Sequence, residues 1–150
     1  ELISSAGEGA ENVRNGFDRD WEGKSNAWEA PIDSSIEYRF KTAVDVEKVR
    51  IIFDSNLNRI DPSRPRERPK NMRYFKALDD VPFVPPSTIV KAFTIEVMDA
   101  AGDWHIAAEE NNNFQRHVRV TVNKQAYGIR LTPKATWGAE NARVFSLDLI

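Results

Sequence analysis

The residues of this 150-residue chain with the most chemical potential are its tryptophans, a few loop carboxylates and arginines, and two histidines. Trp21 and Trp137 fall in stretches rich in turn formers. A flat, exposed ring beside polar groups is what the apolar face of a sugar stacks on, while Asn, Asp or Arg side chains hydrogen-bond its hydroxyls. Asp18, three residues before Trp21, and Arg116, after a run of asparagines, supply such groups. The candidate ligand set is therefore Asp18, Trp21, Arg116 and Trp137. Two bland readings stand beside it. Each Trp caps an end of the core, and Arg116 with Gln115 ties its loop to a neighbour.

Catalytic constellations are missing. His105 and His117 fall on the solvated face by alternation from Trp104 and Val118. Glu109 and Glu110 are adjacent, so on a strand they point to opposite faces and make a poor acid–base pair. No Gly-x-Ser-x-Gly elbow occurs. A flavin or nicotinamide site needs a glycine-rich turn at the start of a helix. The sole Gly-x-Gly, Gly7-Glu8-Gly9, has Asn12 where a third glycine belongs and no expected helix after it. No cofactor is expected in this chain. Asp18 and Asp20 either converge on a cation or stabilise turns, and the second is favoured, so no metal site is assigned.

Asp54 to Ser87 is basic and broken by prolines at 62, 65, 69, 82, 85 and 86. Proline forbids both helix interiors and ladder donation, so this stretch cannot be regular throughout. Arg64, Arg66, Arg68, Arg73 and Tyr74 form a candidate interface set, because Arg and Tyr are enriched at protein interfaces. A solvated loop is the competing reading. Nucleic acid is disfavoured: the whole chain carries a net charge of −2, and the remainder of the domain opposes a polyanion.

The elements that position these residues read as strands. Ile36, Tyr38 and Phe40 alternate with charged residues, and Val46 to Phe53 is denser, as in a central strand. Phe93, Ile95 and Val97 alternate, Asp99 to Asp103 reads as a hairpin turn with Gly102 at positive φ, and Trp104, Ile106 and Ala108 return. Val118, Val120 and Val122 are followed by an expected turn at Asn123-Lys124-Gln125, then Tyr127, Ile129 and Leu131, and finally Phe145, Leu147 and Leu149. The asparagine run at 111–113 suits a turn with positive φ. The class is all-β, a sandwich in one domain spanning 1–150. No cysteine is present, which excludes disulfides. No apolar run reaches the roughly 20 residues of a membrane helix. The opening Glu1-Leu2-Ile3 reads as a piece of a longer protein.

The segments Asn12-Val13-Arg14-Asn15-Gly16 with Asn26-Ala27-Trp28, Ile36 to Phe40, Val46 to Phe53, Gly128 to Leu131 and Ala142 to Leu149 together resemble the galactose-binding-like β-sandwich of the discoidin, or coagulation factor 5/8 C-terminal, type. Val49 to Asn58 and Asn111 to Arg116 resemble the branch appended to bacterial FAD-dependent oxidoreductase-type proteins. The resemblance implies an eight-stranded jelly roll that binds glycans, lipids or proteins through loops at one end. It implies a core position for Trp28 and Trp104, and work outside the cytoplasm, in the periplasm or extracellular space. A structural calcium is common in that family. Its closing-strand carboxylate position is Ser146 here, which puts such a site in doubt.

Two readings of function follow. The favoured one is a non-catalytic accessory module, docking on the catalytic region of a larger bacterial oxidoreductase. The alternative is a carbohydrate-binding module that recognises a glycan through its end loops.

Overall fold

A computed structural model describes residues 1–56 and 85–150. Seven strands occur among them: β1 (Leu2–Ser4), β2 (Trp28–Pro31), β3 (Ile36–Phe53), β4 (Val90–Met98), β5 (Trp104–Glu110), β6 (His117–Thr136) and β7 (Asn141–Leu149). All named pairings are antiparallel. The strand order is β2-β7-β3-β6-β4-β5, with β1 also on β3.

Two strands belong to both layers of the sandwich. The first half of β3, Ile36 to Arg39, lies between β1 and the second half of β6. Its second half, Lys48 to Phe53, lies between the first half of β6 and β7. Register shifts between Arg39 and Val44 and between Val46 and Lys48 mark the bend. One layer is thus β1, early β3, late β6, β4 and β5. The other is early β6, late β3, β7 and β2. The Asn123 turn expected from the sequence does not interrupt β6. Asn123 instead takes φ +48° inside a continuous strand, where the ladder slips. A bulge and a turn both call for a residue that tolerates positive φ, so the same side chain serves either.

Inward side chains of both layers meet in one core. Trp28, Ile36, Ile51, Phe53, Phe93, Ile95, Ile129, Leu131 and Leu147 are fully buried. Phe53 of one layer and Phe93 of the other pack with ring centroids 5.4 Å apart and planes tilted by 52°. That tilted geometry suits the quadrupoles of two aromatic rings. Tyr38 spans the layers differently: its hydroxyl donates to the Leu147 carbonyl of β7 at 3.0 Å. Burial, with the Asp148 charge second, pushes the Tyr38 phenol up to about 12.

The return strand departs from its expected facing. A register shift between Ile95 and Glu96 reorients β5, and Ile106 is 61% exposed rather than inward. Trp104 is only half-buried. It rests beside Gly128, where a Cβ would approach the indole Cη2 to 2.9 Å and the Tyr38 carbonyl to 2.8 Å. The Arg130 guanidinium lies 3.9 Å over the Trp104 ring. Arg130 is itself held by Glu37, 2.7 Å away and buried beneath it. The hairpin turn at 99–103 forms as expected, with Gly102 at φ +91°.

Candidate functional site

The loops at one end of the sandwich gather the four ligand candidates. This end carries the chain between η-type turn Ala10–Arg14 and β2, the segment between β5 and β6, and the connection from β6 to β7. Buried Asn113 joins the layers there. Its side-chain amide donates to the carbonyls of Val90 at 2.7 Å and Gln115 at 2.9 Å, and its Oδ1 accepts from the Gln115 backbone N–H at 3.0 Å. No residue of 111–113 takes positive φ, so the asparagine run is an anchor rather than the expected left-handed turn. Fixing the backbone at 113 aims its neighbours outward, and Phe114 is 60% exposed.

The segment 15–26 is folded by its own polar groups. Asn15 Oδ1 accepts from the Phe17 N–H at 2.8 Å, and Trp21 and Lys24 exchange backbone hydrogen bonds of 3.1 and 2.9 Å. Glu22 and Gly23, between them, both have positive φ, at 49° and 76°. That is the type I′ pattern, which needs residues tolerant of φ > 0. The turn lifts Trp21 into solvent at 54% exposure, with Phe17 also exposed nearby in sequence.

Asp18 and Arg116 come together across these two segments. Arg116 Nη2 donates to the Asp18 carbonyl, and Nη1 lies 3.5 Å from Asp18 Oδ2. The Asp18 carboxyl is held below its usual range. Partial burial works to raise it, but the hydrogen bond from Arg19 and the nearby Arg116 charge outweigh that. Arg116 therefore does tie its loop to a neighbour, and the neighbour is the segment bearing Trp21. Trp137 is half-buried. Its indole N–H donates to the Asn113 carbonyl at 2.7 Å, and the Lys91 ammonium stands 4.7 Å over its ring. One pair, Asp18 with Arg116, is in direct contact. Trp21 follows Asp18 in the same loop segment, and Trp137 is tied through Asn113 to the segment that carries Arg116.

Beneath this rim lies a residue that the sequence reading did not single out. Arg143, on β7, is buried among carboxylates. Its Nε donates to Glu29 at 2.9 Å, Nη1 to Asp54 at 2.6 Å, and Nη2 to both oxygens of Asp20 at 3.0 and 3.1 Å and to Ser25 at 3.1 Å. Burial acts against its charge, but its hydrogen bonds to Asp20 and Asp54 more than offset this and raise its pKa above the ordinary value. Asp20 also accepts from the Asn26 N–H at 3.3 Å, so it both closes a turn and meets a cation, though that cation is a guanidinium. A buried arginine between Ala142 and Val144 is a sequence signal, since an isolated charge is rarely buried without partners.

Other candidate chemistry is dispersed. His105 and His117 are exposed, and His105 Nε2 lies 2.7 Å from Asp99 in the hairpin turn. Gly7-Glu8-Gly9 leads into one short 3-10 turn, not an α-helix. Ser146 donates to Asp148, whose carboxylate accepts from Arg50 at 2.7 and 3.0 Å. No group of three or more carboxylate or histidine side chains placed to hold a metal ion occurs among the described residues. A polar cleft of about 580 Å³ beside β2 is lined by Glu8, Asn12, Ser25, Glu29 and Asn141 and carries no aromatic ring. The interface candidates Arg64, Arg66, Arg68, Arg73 and Tyr74 lie outside the described residues.

No protein-family model and no curated protein matches the chain. Solved structures do. The chain is similar along 100% of its length, and 94% of the other's, to the family 32 carbohydrate-binding module of Streptococcus pneumoniae EndoD, at 19% identity and a TM-score of 0.66. It is similar to the family 32 module of AlyQ in complex with 4,5-unsaturated mannuronic acid, at 12% identity, a TM-score of 0.67 and coverage of 100% and 93%. It is also similar to the family 32 module of C. perfringens NanJ in complex with galactose, at 13% identity, a TM-score of 0.64 and coverage of 99% and 91%. The fold is the galactose-binding-like jelly-roll β-sandwich.

Proposed function

We propose that this domain is a non-catalytic carbohydrate-binding module that holds a sugar at the loop end of the sandwich. The observation that carries the reading is the contact of Arg116 with Asp18, which lies in the same loop segment that turns Trp21 out to solvent. An exposed ring offers a stacking surface, a guanidinium donates to hydroxyl oxygens and a carboxylate accepts from hydroxyl hydrogens. Because guanidinium and carboxylate neutralise each other, the site suits a neutral sugar better than a uronate or an amino sugar. Phe17 and Phe114 extend the apolar surface at the same end. The solved structures of similar fold are carbohydrate-binding modules, which favours this reading over docking on a parent enzyme. The proposed interface residues stand outside the described residues.

The test is a glycan array, followed by calorimetric titration of the best glycan into wild type and Trp21→Ala. Covering about 100 Å² of indole at about 25 cal/mol per Å² amounts to about 2.5 kcal/mol, or about 60-fold in Kd. An array without hits, or unchanged affinity in Trp21→Ala, Phe114→Ala and Arg116→Ala alike, overturns the proposal.

A further inference from the structure

The ligand loop has no hydrophobic interior of its own: between Phe17 and Asn26 its side chains are charged, polar or exposed, and Trp21 points to solvent. Among the described residues, two side chains from distant parts of the chain hold it. One is Arg116, clasped on Asp18. The other is Arg143, which reaches the loop twice, through Asp20 and Ser25. The remaining donors of the same guanidinium go to Glu29 on β2 and to Asp54 just past β3.

A guanidinium is planar and presents five donors in a fixed fork. Here the donors bridge residues 20–25, residue 29 on β2 and residue 54 past β3. Arg143 itself sits on β7 between β2 and β3, in register with Glu29, with Ala142 and Val144 buried on either side. The strand therefore cannot shift the charge without breaking the sandwich, and its headgroup is a fixed point on which the loop is hung.

We propose that Arg143 is the positioning residue of the ligand loop: it ties Asp20 and Ser25 to Glu29 and Asp54, and so holds the turn bearing Trp21 in place through a guanidinium and not a metal ion. The consequence for sugar binding rests on the function proposed above; the ordering of the loop does not. Loop order and glycan affinity are thereby independent of calcium. A lysine at 143 keeps the charge but loses the fork, so it cannot reach all four partners at once.

Amide hydrogen exchange on the intact domain tests this. The reporters are the Trp21, Lys24 and Asn26 amides, whose hydrogen bonds lie within the loop. In Arg143→Lys these three exchange at least tenfold faster, while the amides of Ile51, Ile95 and Leu131 change less than twofold. Asp20→Asn, altered on the loop side only, gives the same local loosening and decides the matter if Arg143→Lys does not fold. Chelator or added calcium leaves the wild-type exchange unchanged. Loop amides that keep wild-type protection in both variants overturn the proposal, as does a calcium-dependent change in the wild-type loop. If a glycan binds wild type, Arg143→Lys weakens it at least tenfold. If none binds, the sugar-binding reading fails, and the exchange data still decide the role of Arg143.

Discussion

Raising the pH from 8 to 12 challenges the contact by which Tyr38 links the two layers. Its phenol donates to the Leu147 carbonyl, and a phenolate has no proton to donate. The folded pKa, about 12, lies above the ordinary value of 10.0, first through burial and then through the Asp148 charge. A group raised in this sense stabilises the fold fully below pH 10 and loses that contribution as the pH climbs to 12. Two units at about 1.36 kcal/mol each set an upper bound near 2.7 kcal/mol, and partial exposure of the ring reduces this to about 1–2 kcal/mol. Tyr38→Phe removes the hydrogen bond at every pH and costs about 1 kcal/mol at neutral pH. The stability difference between wild type and variant therefore starts near +1 kcal/mol at pH 8 and falls, reaching zero or reversing by pH 12. Urea unfolding of both proteins at half-unit intervals measures it, and subtraction cancels the titration of every other group. The tyrosinate absorbance of wild type minus variant gives the Tyr38 titration directly. A difference that stays flat from pH 9 to 12, or a Tyr38 midpoint at 10, refutes the reasoning.

Two further outcomes follow from the packing and the charges. Phe53→Ala and Phe93→Ala each cost about 3–5 kcal/mol, and the double variant costs about 0.5–1.5 kcal/mol less than their sum. Urea unfolding of the four proteins measures this, and strict additivity contradicts the ring contact. Asp18, held below the ordinary carboxyl value of 3.8, stays ionised as the pH falls to 4, and the contribution of its contact with Arg116 is lost only below that value. The carboxyl carbon resonance of Asp18 follows the titration, and a midpoint at or above 3.8 contradicts the clasp.

The sandwich was legible because alternation survives wherever one face of a strand is covered. Phe93, Ile95, Val97, Ile129 and Leu131 all face inward as their spacing dictates. Continuity was not legible. Ile36 to Phe40 and Val46 to Phe53 read as two segments, and Asn123 to Gln125 as a turn, yet in each case the chain forms one unbroken strand with a bend. The exposure of Ile106 was hidden for a related reason: a slip of one residue in the β4–β5 ladder reverses the facing of every residue after it. At the loop end, local chemistry marked Asp18, Trp21, Arg116 and Trp137. The role of Arg143 was beyond local reading, since its partners lie 89 to 123 positions away. Asp20 reads as an ordinary turn former until the fold brings the Arg143 guanidinium to it.

Because β3 and β6 each thread through both sheets, neither sheet can come apart without disturbing strands of the other. Peeling β7 and β2 away uncovers Phe53 and the far reach of β3, and the same backbone carries that disturbance directly into the rows beside β1 and β4. Melting is accordingly all-or-none, and a load applied at one terminus is borne by the entire body instead of being relieved leaf by leaf.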